Sequence, residues 1–178
     1  MKKLVLFVLL TLSYSWLLGQ ENKPQIDWIT WQEAEKRMAD EPRKVLVDVY
    51  TKWCGPCKMM NKTTFQDPLV VNYVNENYYA IKFDAEGPET IEFKGSVFKN
   101  EGYDPNKTGR NSTHDLTRAI APVNGRIAYP TIVYMNEDFK ILVPQQGFQK
   151  TPQIMPILSF IAEDAYKNQS FEEYTSNN

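Results

Sequence analysis

Cysteine and histidine are scarce in this sequence, which has two cysteines and one histidine among 178 residues. His114 stands at a predicted helix start with no second ligand nearby, so we expect it to be solvated or to cap the helix. The two cysteines could hold a soft ion such as Cu(I). Without further Cys, Met or His at ligand spacing, however, two thiolates make an incomplete site. We therefore predict no metal site and no cofactor.

Basic charge is not in excess either, because 20 Lys and Arg residues stand against 22 Asp and Glu residues, for a formal net charge of -2. No stretch clusters Lys and Arg with aromatic residues, as a groove that follows a phosphate backbone requires. Nucleic acid is therefore not expected as a partner.

The sequence also lacks an uninterrupted apolar run of 18 residues, the minimum for a transmembrane helix. Lys2 and Lys3 precede an apolar run over residues 4–12, and Ser13 soon interrupts it. This pattern predicts a secretory signal peptide over residues 1–20. We expect cleavage to leave a periplasmic or secreted protein, residues 21–178, without a stable membrane span. An uncleaved membrane anchor is the alternative.

The mature chain of about 158 residues is long enough for one domain with a hydrophobic core. Its patterns predict helices over about 31–39, 58–65 and 67–77, strands over 45–50 and 78–83, and a short helix that ends at Pro122. Strands over 132–135 and 139–143 and a helix over about 151–167 follow. This order predicts an α/β domain with a mixed central sheet flanked by helices.

Residues 85–113 interrupt this order, because they lose periodicity and gain glycine and proline. Such a composition is typical of an irregular insertion on the surface rather than of a core element. Within it, residues 91–93 and 97–99 flank Lys94-Gly95-Ser96 and predict a small hairpin. Long ordered loops are often functional, so we expect the insertion to influence the choice of partner.

The two cysteines are separated by two residues, in the run Cys54-Gly55-Pro56-Cys57 between a predicted strand and a predicted helix. Two thiols at this spacing can close a small disulfide. The first faces unpaired backbone N–H groups and the positive end of the helix dipole, which stabilise a thiolate. We therefore expect Cys54 to be the attacking thiol and Cys57, one turn deeper and less exposed, to resolve the mixed disulfide.

The run from Val47 to Lys58, which contains Trp53 directly before the Cys-Gly-Pro-Cys motif, resembles the active-site strand, loop and helix start of thioredoxins. The similarity extends over about residues 28–166, with the insertion as an interruption. It implies a thioredoxin fold and thiol-disulfide oxidoreductase activity. The segment from Thr63 to Pro68 is more similar to exported thioredoxin-related proteins than to the small cytosolic members.

The resemblance assigns further roles. Asp48 matches the buried acid of the family, Lys82 the lysine near it, Pro130 the cis-proline opposite the disulfide, and Gly147 a late glycine.

Asp48 lies in an apolar strand, so burial should raise its pKa and allow it to take a proton from Cys57. Exposure at a strand end or simple pairing with Lys82 is the alternative for Asp48, and an ordinary trans proline is the alternative for Pro130. Candidates for contact with a substrate are Trp53, Gly55, Pro56, Tyr129 and Gly147; packing is the alternative for Trp53 and Tyr129.

The sequence thus predicts an exported enzyme that exchanges disulfides with protein thiols, with Cys54, Cys57, Asp48 and Pro130 as its catalytic site. The Gly-Pro pair between the thiols favours the reductase direction, and the sequence does not identify the electron donor. Two alternatives remain open: a redox-inert binding or holdase module with a structural disulfide, and a copper-handling protein.

Overall fold

A computed structural model describes residues 23–177. The predicted signal peptide, residues 1–20, lies outside the described residues. Of the helices in residues 23–177, none is long and apolar enough to span a membrane.

The strands form a five-stranded mixed sheet and a separate two-stranded hairpin. The strands in chain order are β1 (Trp28–Ile29), β2 (Lys44–Tyr50), β3 (Tyr78–Asp84), the hairpin strands β4 (Ile91–Phe93) and β5 (Ser96–Phe98), β6 (Thr131–Met135) and β7 (Ile141–Gln146). In the sheet order β1-β3-β2-β6-β7, β3 is parallel to β1 and β2, whereas β6 is antiparallel to β2 and β7. The mixed sheet predicted from the sequence is therefore confirmed.

Helices cover both faces of the sheet, and most begin at a side chain that caps free backbone N–H groups. Thr30 accepts a hydrogen bond from the Glu33 N–H, and Asp67 accepts one from the Leu69 N–H. The α-helices are α1 (Trp31–Asp40), α2 (Gly55–Lys62), α3 (Pro68–Asn77), α4 (Asp115–Ile120), α5 (Thr151–Ala162) and α6 (Phe171–Ser176). Short 3₁₀ helices occupy Thr64–Gln66 and Ala165–Lys167.

Strand β2 lies at the centre of the sheet and sends alternate side chains into two separate cores. Val45, Val47 and Val49 belong to a core with α1, α4 and the hairpin. Leu46 belongs to the core on the opposite face, with α3 and α5. The period-2 alternation of a strand places Asp48 on the same face as Leu46, in the second core.

Several predicted boundaries differ from the observed ones. The strand predicted over 139–143 begins at Ile141 and continues to Gln146, because Phe139 adopts a φ of 60° in the turn before it. The last predicted helix ends at Ala162, and the left-handed residue Asp164 separates it from a 3₁₀ turn. The sequence did not indicate β1 or α6.

The hairpin predicted within the insertion is present, but the expectation that the insertion contributes no core element is wrong. Ile91 and Phe93 are buried in the core beneath α1. The Phe93 ring lies 4.7 Å from the ring of Trp31 and 5.1 Å from that of Phe139. The alternation of β4 directs both apolar side chains inward, so this three-residue strand adds two buried side chains to the core.

We therefore predict that Phe93→Ala lowers the free energy of unfolding by about 3 kcal/mol, since it removes a buried aromatic ring and leaves a cavity. Val97→Ala on the paired strand is the matched control: its side chain is 57% exposed, and the change should stay within about 0.5 kcal/mol. Urea unfolding of both variants measures the difference. Equal, small effects would mean that the hairpin is only a surface attachment.

Candidate active site

The two cysteines lie at the start of α2, directly beyond the end of the central strand β2. Cys54 is the N-cap of the helix, and Pro56 occupies its first turn, where no backbone donor is needed. The thiols are joined by a disulfide, and the Cys54 Sγ accepts a hydrogen bond from the Cys57 N–H at 3.1 Å. The helix start therefore offers its N–H group and its positive dipole end to Cys54 rather than to Cys57.

Exposure does not distinguish the two thiols in the disulfide form. Cys54 is 2% exposed and Cys57 is 6% exposed, so the expectation that Cys57 is the less exposed thiol is wrong for this state. Gly55 and Pro56 between them are exposed. The hydrogen bond and the helix dipole do distinguish the two thiols, because both favour a thiolate at Cys54.

Asp48 is almost fully buried in β2 and lines the same cavity as Cys57. This cavity has a volume of about 290 Å³ and is also lined by Tyr50, Asn61 and Lys82. Burial raises the pKa of Asp48 from 3.8 to about 7, and this effect outweighs the opposing attraction of Lys82. The carboxyl group can therefore hold or release a proton near neutral pH.

Lys82 approaches Asp48 from the neighbouring strand, in the register that pairs the two residues across β2 and β3. Its Nζ lies 3.9 Å from the Asp48 carboxylate and donates a hydrogen bond to the Asn61 side chain. The ammonium also lies 5.2 Å from the centre of the Trp28 ring and 5.4 Å from that of Tyr50. Burial lowers the pKa of Lys82, although Asp48 opposes this shift.

The segment before β6 carries the proline implied by the resemblance. The Tyr129–Pro130 peptide bond is cis, and the Pro130 carbonyl accepts a hydrogen bond from the Gly147 N–H at 2.8 Å. Gly147 follows β7 with a φ of +101°, a conformation that residues with a Cβ rarely adopt. The Tyr129 ring meets the Trp53 ring edge to face at 5.9 Å, so the residues that precede Pro130 and Cys54 are in contact.

Two residues of the insertion also contact Trp53, and the sequence reasoning missed both. The indole Nε1 donates a hydrogen bond to the Glu86 carboxylate at 2.8 Å. The Arg110 guanidinium lies over the indole ring, 4.5 Å from its centre. Neither Glu86 nor Arg110 stands in a recognisable motif. The only signal for them in the sequence was their position in an insertion that is expected to influence the choice of partner.

His114 is fully buried, so the expectation of a solvated side chain is wrong, whereas the alternative of a capping role is confirmed. Its Nδ1 accepts a hydrogen bond from the Leu116 N–H, and its Nε2 lies 2.8 Å from the Glu89 carbonyl oxygen. Both ring nitrogens are thus engaged within the protein. Among residues 23–177 no group of three or more His, Cys, Asp or Glu side chains is placed to hold a metal ion.

Comparisons with known proteins agree with this arrangement. A family model named for a thioredoxin-like DsbH protein, and described as a protein of unknown function (DUF255), matches residues 8–99, just over half of the chain. The chain belongs to this family. The solution structure of a thioredoxin from Thermus thermophilus superposes with a TM-score of 0.54 at 16% identity, over 77% of this chain and 87% of that one. The thioredoxin fold implied by the sequence is therefore confirmed.

Two relatives are similar to parts of the chain. The uncharacterized protein B0495.5 of Caenorhabditis elegans is 27% identical over 132 residues, which cover 68% of this chain and 18% of that protein. The thiol:disulfide interchange protein DsbD of Pectobacterium atrosepticum is 42% identical over 38 residues, which cover 21% of this chain and 7% of that protein. The chain thus spans less than a fifth of the length of either relative. The family is thioredoxin-like and related to disulfide oxidoreductases.

The raised pKa of Asp48 predicts a pH dependence of stability. In the unfolded chain Asp48 ionises near pH 4, whereas in the folded protein it stays neutral until about pH 7. Below about pH 4 Asp48 is neutral in both states and does not change the free energy of unfolding. As the pH rises from about 4 to about 7, only the unfolded chain ionises, so the free energy of unfolding falls. Above about pH 7 this loss of stability is complete. Three pKa units correspond to about 4 kcal/mol.

Asp48→Asn cannot ionise, so its stability relative to the parent should rise by up to about 4 kcal/mol between pH 4 and pH 8. Urea unfolding of the oxidised proteins across this range measures the difference. Asp40→Asn, at the exposed end of α1, controls for the loss of a carboxylate elsewhere. A constant difference between Asp48→Asn and the parent would show that Asp48 does not titrate in this range.

Proposed function

We propose that this protein is an exported thiol-disulfide oxidoreductase that exchanges disulfides with protein substrates through Cys54 and Cys57. The observation that carries the proposal is the position of the Cys54–Cys57 disulfide at the start of α2, with Cys54 as the N-cap and the buried acid Asp48 on the cavity that Cys57 lines. A structural staple needs neither the hydrogen bond to Cys54 nor an acid with a pKa near neutrality.

The proposed reaction starts from the reduced pair. The Cys54 thiolate attacks one sulfur of the substrate disulfide, a bond forms between the two sulfurs, and the other substrate sulfur leaves as a thiolate that takes a proton from water. Asp48, in its carboxylate form, takes the proton of the Cys57 thiol. The Cys57 thiolate then attacks the Cys54 sulfur, closes the enzyme disulfide and releases the second substrate thiolate.

Pro130 and its neighbours form the other part of the proposed site. The contact between the Trp53 and Tyr129 rings brings the segment with the cis bond to the segment with the cysteines. We propose that Gly55 and Pro56, both exposed, contact the substrate together with Trp53, Tyr129 and Gly147. The choice of these residues rests on the resemblance to thioredoxins, on the contact of Tyr129 with Trp53 and on the hydrogen bond between Gly147 and Pro130.

The reductase direction is part of the proposal, because the Gly-Pro pair between the cysteines is typical of reducing thioredoxins. The name of the DsbD relative describes thiol:disulfide interchange, and this activity is proposed here by similarity. Export rests on the pattern of residues 1–20, with residues 21–178 as the mature domain, and an electron donor of its own compartment must return the disulfide to the dithiol.

Measurement of the reduction potential tests the proposal against its alternatives. Equilibration with glutathione buffers should give a potential above about -300 mV, since structural disulfides lie below this value. The reduced protein should also reduce a protein disulfide, such as that of insulin, in the presence of dithiothreitol. A potential well below about -300 mV without exchange activity would favour the redox-inert binding module. Tight Cu(I) binding without exchange would favour copper handling.

The different roles proposed for the two thiols, attack by Cys54 and resolution by Cys57, give a second prediction. Cys57→Ala should accumulate a mixed disulfide with glutathione, because the Cys54 thiolate keeps its helix N-terminus and the resolving thiol is gone. Cys54→Ala should accumulate several-fold less, because the Cys57 thiol lacks the hydrogen bond that Cys54 receives.

Intact-mass spectrometry after timed incubation with oxidised glutathione at pH 7 gives both rates. Since the two cysteines are similarly buried in the oxidised form, the ratio should shrink at high pH, where both thiols ionise. Equal rates at pH 7 would show that the helix start does not activate Cys54. Absence of adducts on both variants would favour the inert disulfide.

A further inference from the structure

We propose that Arg110 determines specificity by binding an acidic side chain next to the cysteine of the substrate disulfide. This inference rests on the proposed function and adds a substrate preference to it. It comes from three observations: the contact of Arg110 with Trp53, the residue directly before Cys54, the contacts that hold its segment in place, and the absence of a carboxylate partner for it among the described residues.

Arg110 reaches the redox site through Trp53. Its guanidinium lies 4.5 Å from the centre of the Trp53 ring, and Trp53 directly precedes Cys54. A guanidinium that stacks on an indole keeps its N–H groups available at its edge for a carboxylate. In the proposed complex, a substrate with its sulfur at Cys54 places the residue next to its cysteine beside Trp53 and this positive charge.

Hydrogen bonds fix the segment that carries Arg110. The Glu86 carboxylate accepts from the Asn111 N–H at 2.7 Å and from the Trp53 indole at 2.8 Å, so one carboxylate joins Trp53 to the residue that follows Arg110. The buried Asn100 donates to the Ser112 carbonyl at 2.9 Å. The residues that follow Arg110 are therefore anchored, and the guanidinium does not depend on a free loop for its position.

The charge on Arg110 has no ion-pair partner in residues 23–177. Glu86 is already engaged with Trp53 and Asn111. Lys58, on the first turns of α2, is exposed as well. Two cations thus flank the Cys-Gly-Pro-Cys motif, Arg110 over Trp53 and Lys58 directly after Cys57, and they complement an acidic side chain of a substrate.

Two symmetric peptide disulfides that differ only in Glu or Gln beside the cysteine test the inference. The reduced parent protein should reduce the Glu peptide about two- to fivefold faster in a single turnover, as expected for one exposed ion pair at low ionic strength. Quenched samples separated by chromatography give the ratio of the two rates. Added salt should lower the ratio.

Arg110→Ala should bring the ratio close to one, and Arg110→Glu should invert it, because the introduced carboxylate repels that of the substrate. Arg110→Lys keeps the charge but loses the planar stack on Trp53, so its ratio should lie between those of the parent and Arg110→Ala. Lys107→Ala is the matched control. Lys107 is exposed in the same segment and has no ring or ion-pair partner among the described residues, so the ratio should stay that of the parent.

The same ratio in the parent and in Arg110→Glu would overturn the inference and leave the proposed function intact. An equal loss of preference in Lys107→Ala would also overturn it, since general charge rather than the stacked guanidinium would then select the substrate. A reduced parent protein that exchanges with neither peptide would overturn the proposed function itself.

Discussion

The burial of strand β2 is the constraint on which the rest of the structure depends. Six of its seven residues are buried between β3 and β6, and its alternating side chains supply both cores. Because this strand cannot shift without exposing both cores, the chain that leaves it has a fixed starting point. That point places Cys54 at the first turn of α2. The same burial removes water from Asp48 and so gives an ordinary carboxyl group a pKa near neutrality.

The segment from β2 to the start of α2 could be predicted because neighbouring residues along the chain determine its structure. The β-branched run of β2, the proline in the first turn of α2 and the two cysteines act over a dozen residues, and each agrees with the others. The fold class followed from the order of such segments. Asp48 stood out because an acid is out of place in an apolar strand. The cis conformation at Pro130, by contrast, followed only from the resemblance, since nothing in the neighbouring residues requires it.

The features that the sequence did not reveal depend on contacts between distant segments. Ile91 and Phe93 lie in a stretch rich in glycine and proline, and only the positions of Trp31 and Phe139 make their burial visible. His114 is buried because it packs against the Phe83 ring of β3 and contacts the backbone of Ala85 and Glu89, at the start of the insertion. Spacing along the chain carries no information about such packing.

The site therefore combines two parts with different origins. One face of the sheet supplies the groups of the proposed chemistry: a buried acid, a neighbouring lysine and a cavity that Cys57 also lines. The insertion supplies the surroundings of Trp53, through Glu86 and Arg110. The insertion does not contribute to the lining of the Asp48 cavity. Under the proposed function, changes in the insertion would therefore alter which substrates approach Cys54 without altering the proposed proton transfer at Cys57. Reactivity and selectivity would then depend on separate groups of residues.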